Sequence, residues 1–322
     1  MPQARGSQLV VGLYDETTYA TDPGSPSGTL LHVKSCGLSA KGGLSDNETV
    51  YSNRSAPKPA RGKIDVAGAL PCGIYPEAFA KLLKHTLGGV ATSGANPYTH
   101  VITIGASLPI GMLIERDNGS NLAGAGRYEK FNGCRVGEAA FTFPQEGWPT
   151  ASFTLRGAKR TGAAAPLDAT LDDLGHSPFH SFEASIQEGG GALAIATAVD
   201  LKIVNGLDEN GYALGTRERR NLHEGRAMVS GTLTAMFEDQ TLLDKAIAGT
   251  ESSLKITLSR GTGLGAAGNE SIEFFVQNML YEMESPPVEG PGGVLVKLPF
   301  KAYRSGANLG LQVTVKNAIA TL

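Results

Sequence analysis

Gly62-Lys63-Ile64-Asp65-Val66-Ala67-Gly68-Ala69-Leu70 is read twice in this chain. Moved on by 163 residues it meets Gly225-Arg226-Ala227-Met228-Val229-Ser230-Gly231-Thr232-Leu233, with both glycines and the leucine in the same places. The match extends backwards without a gap. Leu38 falls on Leu201, Gly43 on Gly206, Leu44 on Leu207, Asn47 on Asn210 and Arg54 on Arg217. Self-similarity at one offset is the mark of a repeated unit. In both copies a glycine-flanked strand (Lys63 to Ala67; Arg226 to Ser230) leads towards a short amphipathic helix.

The first helix is expected to open at Pro76-Glu77, since proline suits the first helical turn. Phe79, Leu82, Leu83 and Leu87 come next at helical spacing, and Gly88-Gly89 ends it. The second opens at Asp239, a good N-cap, carries Leu242, Leu243, Ala246 and Ile247, and ends at Gly249. Period-two alternation then returns. Leu254, Ile256 and Leu258 alternate with polar residues, and Ile272, Phe274 and Val276 continue the pattern. Each half is expected to close on a hairpin with one buried face. The first runs through Ala139, Phe141 and Phe143, turns at Pro144 to Pro149, and returns through Ala151, Phe153 and Leu155. The second runs through Val294, Val296, Leu298 and Phe300, turns at Ser305-Gly306-Ala307-Asn308, and returns through Leu311, Val313 and Val315.

The expected fold is mainly β with short helices (α+β): two tandem β-sandwich or partial-barrel domains, each with one α-helix. Residues 1–28 read as an extended arm, because Pro23-Gly24-Ser25-Pro26-Ser27-Gly28 holds no regular element. The first domain covers 29–160, a linker 161–180 and the second domain 181–322. The linker lies in the stretch from Gly157 to Ser177, where Thr161-Gly162-Ala163-Ala164-Ala165-Pro166 lacks large apolar side chains.

Composition narrows the function. The chain has 322 residues, 42 glycines, 18% charged residues and a formal net charge of -3. A DNA-gripping protein usually carries a basic stripe. The densest basic cluster, Arg217, Arg219 and Arg220, is diluted by Glu218 and Glu224. No apolar run approaches the roughly 18 residues that cross a bilayer, and the opening residues from Met1-Pro2 to Gly6 form no signal-peptide core. A soluble protein made in the cytoplasm, without a membrane partner, is expected.

Motifs for chemistry are weak. Gly263, Gly265 and Gly268 match the GxGxxG dinucleotide fingerprint, but a strand pattern stands where the pyrophosphate needs a helix N-terminus. A hairpin loop is the preferred reading. His176 and His180 have the spacing of a helical metal pair, with Pro178 between them and no Glu or Cys beside them. Cys36, Cys72 and Cys134 are odd in number and widely spaced, so small half-buried thiols are expected. Asp172-Asp173 reads as a cap with solvating charge. The sequons at Asn47, Asn53, Asn118 and Asn269 matter only in a secreted protein. No catalytic, cofactor-binding or metal residue is assigned, and no cofactor and no enzymatic activity are expected.

The opening, Gly12-Leu13-Tyr14-Asp15-Glu16-Thr17-Thr18-Tyr19 with its Pro/Gly stretch, resembles the N-terminus of phage tail tube proteins. So do Asn53-Arg54, the strand Gly62 to Leu70 and the helix from Pro76. The resemblance implies a virion structural protein that polymerises into stacked rings, each fold giving about four strands to an inner β-barrel. It implies a channel carrying the tape-measure protein and double-stranded DNA without specific binding. With two folds per chain, three subunits make a trimeric ring with pseudo-sixfold symmetry; hexameric rings are the alternative. The hairpins Glu138 to Arg156 and Val294 to Lys316, or the segments from Leu38 and Leu201, are candidates for the inner sheet. Rival readings are a tail terminator or another virion structural protein, a nucleotide-binding enzyme centred on Gly263, and a carbohydrate-binding module. The last is poorly served by a chain whose one tryptophan is Trp148.

Overall fold

The computed structural model describes residues 3–50, 52, 54–288 and 290–322. Asn53, with its sequon and its part of the motif, lies outside the described residues, as do Met1 and Pro2. Among the described residues the chain is built of antiparallel strands and two short α-helices.

The strands begin early. β1 (Val10–Asp15) lies inside the segment expected to be an arm. Its run Val10-Val11-Gly12-Leu13-Tyr14 holds too much apolar surface to stay in water, and Val11, Leu13 and Tyr14 are buried. Next come β2 (Thr29–Leu30), β3 (Ser39–Ser45) and β4 (Ala60–Gly73). α1 (Phe79–Leu87) opens just after Pro76 and stops at Gly88, whose φ of 91° suits glycine. β5 (Gly88–Gly94) and β6 (Tyr98–Ile104) form a hairpin, then come β7 (Met112–Asp117), β8 (Tyr128–Phe143), β9 (Thr150–Gly157) and β10 (Lys159–Ala163).

The second half runs β11 (Ala184–Glu188), β12 (Gly191–Ala192), β13 (Ala196–Val204) and β14 (Met228–Met236). α2 (Thr241–Ala248) begins just after Asp239, whose Oδ1 accepts from the Thr241 N–H at 2.8 Å, and ends at Gly249; its N-cap position is taken by Gln240, one residue later than the sequence suggests. β15 (Ser252–Ser259), β16 (Ser271–Tyr281), β17 (Leu295–Ala302) and β18 (Leu311–Asn317) complete it.

The pairings recur. In the first half β1 pairs β2 and β7, β4 pairs β3 and β9, and β8 pairs β7, β9 and β10. In the second, β11 pairs β12 and β15, β14 pairs β13 and β17, and β16 pairs β15, β17 and β18. Registers also coincide at the offset seen in the sequence. Ser39 faces Ala67 and Lys202 faces Ser230; Ala40 faces Val66 and Ile203 faces Val229. Each helix is tied alike: Lys84 meets Asp15 at 2.8 Å and Lys245 meets Glu188 at 2.6 Å, a cation in the last turn held by the last residue of a strand. The β5–β6 hairpin has no counterpart after α2 among the described residues.

One expectation is corrected. β17 and β18 do not pair with each other among the described residues. Both run along the same edge of β16: Ala302 faces Met279 and Leu311 faces Val276. The Tyr303 N–H reaches the Asn278 carbonyl, and the Gln277 N–H reaches the Gly310 carbonyl. The turn at Ser305–Asn308 therefore closes a short excursion from one interrupted strand, not a hairpin. The stretch expected as the linker, 161–180, carries packed residues of its own. β10 extends to Ala163, Phe179 is fully buried, and Leu171 packs over Gly12 and Gly28, where an added Cβ would lie 3.0 and 2.4 Å from its Cδ2.

One cluster of buried residues spans both halves. Phe79, Phe141 and Phe153 meet edge to face, and Phe141 lies 5.1 Å from Phe274 of the second half. A buried aromatic of this kind stabilises by about 1.5–3 kcal/mol through area alone.

Candidate functional site

The two halves are joined by strand pairing. β8 carries β9 on one edge and β13 on the other; Glu138 faces Val204, Ala140 faces Lys202 and Phe143 faces Val199. The result is an unbroken antiparallel sheet in the order β3, β4, β9, β8, β13, β14, β17 and the end of β16. Four strands come from each half.

Alternation gives this sheet two unlike faces. Val66, Leu70, Phe153, Leu155, Phe141, Leu201, Leu233 and Leu298 point into the core. The other face carries Ser152, Thr154, Thr142, Asp200, Lys202, Ser230, Thr232, Lys297 and Lys301, none of them buried. Two of its lysines are paired, Lys202 with Glu138 at 2.8 Å and Lys301 with Glu282 at 2.5 Å, while the Thr142 hydroxyl donates to Asp200 at 2.8 Å. Residues of β8, β13, β14 and β17, with Glu282, line one shallow recess on this face. The face is polar and of mixed sign.

Buried polar groups lock the joint. The Asn205 amide donates to the Thr86 and Val136 carbonyls, each at 2.9 Å. Arg219, 3% exposed, donates to Asp65 at 2.6 Å and to the Gly157 and Glu209 carbonyls. The Tyr212 hydroxyl donates to the Ile64 carbonyl and Arg217 to that of Gly62. Arg135 meets Glu224 at 2.5 Å. Burial would raise the Glu224 carboxyl, but hydrogen bonds from backbone N–H groups and the Arg135 charge together hold it below the usual carboxylate range. The sequence picks out the Arg217–Arg220 cluster as charge. Its role as a latch depends on contacts with residues some 150 positions away, which no local pattern signals.

The two ends of the sheet are open. β3 has all seven residues exposed and pairs only β4 among the described residues. Past Tyr281 the chain continues exposed through Glu282, Met283, Glu284 and Ser285.

The other singled-out residues fall elsewhere. Gly263, Gly265 and Gly268 have positive φ in the β15–β16 loop and lead into a strand, so no helix N-terminus stands behind them. His180 caps a 3-10 turn at Ser181–Glu183, its Nδ1 accepting from the Phe182 N–H. His176 stacks on His32 at 4.8 Å and meets the edge of Tyr75; His176 and His180 do not share a site. Asp173 pairs with His32 at 3.0 Å, and Asp172 bonds through its backbone to Gly28 and Leu30. Cys72 and Cys134 are fully buried and Cys36 partly so. Burial pushes the Cys72 thiol up to about 12, which leaves it unreactive. Among the described residues no group of three His, Cys, Asp or Glu could hold a metal ion, and no helix is long and apolar enough to cross a membrane.

A family model described as phage tail tube protein matches residues 6–302. No curated protein matches the chain.

Proposed function

The chain belongs to the phage tail tube protein family, a family of structural tail proteins of the virion, and on that premise we propose that it is two tube folds in tandem that assemble into stacked rings. The continuous sheet carries this reading. It repeats one four-strand unit and leaves, among the described residues, an unpaired edge at each end, and open edges are sites of further pairing. Three chains, six folds, close a ring with pseudo-sixfold symmetry. The polar face lines the channel. Two of its lysines, Lys202 and Lys301, are paired with carboxylates, which leaves fewer cations free to displace counterions from passing double-stranded DNA. The tape-measure protein occupies the same bore before the DNA passes.

The two folds correspond to 29–160 and 181–322, with strand β1 added to the first and 161–180 as the connection. Electron microscopy of the purified, assembled protein tests the proposal. Long hollow tubes with three chains per ring are expected. Six chains per ring, or single rings that never stack, would overturn it.

A further inference from the structure

The two open sheet ends have the geometry of a joint already made once inside the chain. β13 stands to β14 as β3 stands to β4, in the same register. The hairpins match as well. In the first, Val136 faces Leu155 and, past a bulge, Glu138 faces Thr154. In the second, Tyr281 faces Phe300 and the Glu282 N–H donates to the Pro299 carbonyl at 2.7 Å. Glu282 therefore occupies the place of Glu138.

We infer that β3 of one chain pairs antiparallel with residues 282–284 of a second copy, as β13 pairs with β8 inside the chain. The inference rests on the self-assembly reading above and names the segments that carry it. Within the chain Glu138 faces Val204, Ala139 faces Ile203 and Ala140 faces Lys202. Carried over, Glu282 faces Lys41, Met283 faces Ala40 and Glu284 faces Ser39. The charges agree: a lysine meets a glutamate directly opposite, a favourable cross-strand pair. Pro286 and Pro287 follow after Ser285, and neither has an N–H to give. The pairing stops there, which fits β3 beginning at Ser39.

Apolar side chains left in water point the same way. Leu44 is 69% exposed, whereas its counterpart Leu207 is half-buried and lies near Gly137 of the first half. Aligned on their terminal glycines, α1 and α2 place Ile247 where Thr86 stands. Thr86 is fully buried and its carbonyl is held by Asn205 of the second half; Ile247 is 57% exposed. A copy joined at β3 covers Leu44, and a copy joined at the β16 edge covers Ile247.

A double variant, Lys41→Cys with Glu282→Cys, tests the joint. Oxidised after assembly and run without reductant, it is expected to give crosslinked chains up to the ring size, with neither single variant doing so. Should tubes form without that crosslink, the joint is elsewhere and the tube reading survives. Should the wild-type chain stay monomeric in solution, both readings fall. Crosslinked rings without tubes would support the joint and reject stacking. Independently of cysteine chemistry, Lys41→Glu should cut the sedimenting assembly about tenfold, because like charges then face each other across the joint. Adding Glu282→Lys should restore it. Ile247→Lys should block assembly while leaving the melting of the isolated chain unchanged. Normal assembly by Lys41→Glu, or no rescue by the second change, would overturn the pairing.

Discussion

The two helices show what one half of the molecule does for the other. α1 buries Phe79, Ala80, Leu82, Leu83, His85, Thr86 and Leu87, whereas α2 buries Leu242 and Ala246. Their sequences do not differ enough to explain this; both carry leucine pairs at helical spacing. Two things differ: β5 and β6 pack against α1 and have no counterpart behind α2 among the described residues, and residues later in the chain also reach α1. α1 is covered by them: Asn205 on Thr86, Asn317 on the Pro76 carbonyl, and the Leu322 carbonyl on Lys84. Among the described residues no third unit lies behind α2. Burial here is set by what packs against each helix, not by the helix's own sequence.

Truncating a core side chain in each helix puts that contrast to its most severe test. Phe79→Ala empties a site enclosed by Phe141 and Phe153 and should cost about 3–5 kcal/mol, while Leu242→Ala should cost about 2 kcal/mol in the same chemical denaturation. Equal losses would mean that α2 is as well supported as α1. Next in size is the latch. Arg219→Ala leaves the Gly157 and Glu209 carbonyls without their donor and should cost about 2–3 kcal/mol. The repeat offset puts Ala56 at the corresponding place in the first half, so the joint between chains is expected to lack this latch and to separate at lower denaturant than the joint within them.

Acid should act on the ion pair that ties α1. Burial alone would raise the Asp15 carboxyl, but the hydrogen bonds and charges of His85 and Lys84 outweigh it and hold it well below the ordinary range. A depressed carboxylate contributes stability above its unfolded value, about 4, and loses it as pH falls towards its folded value. The difference in melting temperature between the native chain and Asp15→Asn should therefore be largest near pH 6 and shrink below about pH 4. A constant difference would show that Asp15 contributes nothing through its charge. The smallest effect is expected from Asp239→Ala, which removes the acceptor of the first N–H of α2 and should lower the melting temperature less than Leu242→Ala does.

Much of the fold is legible in the sequence where the signal is local. Gly88 and Gly249 end the helices because a left-handed or open backbone there needs no Cβ. The alternation in β8, β9, β15 and β16 marks one wet and one buried face. The register of β3 on β4, and of β13 on β14, keeps the same offset as the letters. What the sequence hides is choice of neighbour. Ser305-Gly306-Ala307-Asn308 has turn chemistry whether the strands beside it pair with each other or share a third. Here they share β16. The pairing of β13 with β8, which makes the candidate surface continuous, leaves no mark either, since Val199, Leu201 and Ile203 would alternate identically on any sheet.

The β5–β6 hairpin has a consequence for symmetry. It lies between α1 and β7, adds β6 to the edge of β18, and has no partner element in the second half among the described residues. A ring of three such chains would be close to sixfold along its bore and strictly threefold where the hairpins lie. A threefold object seated against the hairpins would find one rotational setting preferred over the alternative reached by half a repeat, which a true sixfold ring would leave equal. In such a ring the insertion would act as a keyway.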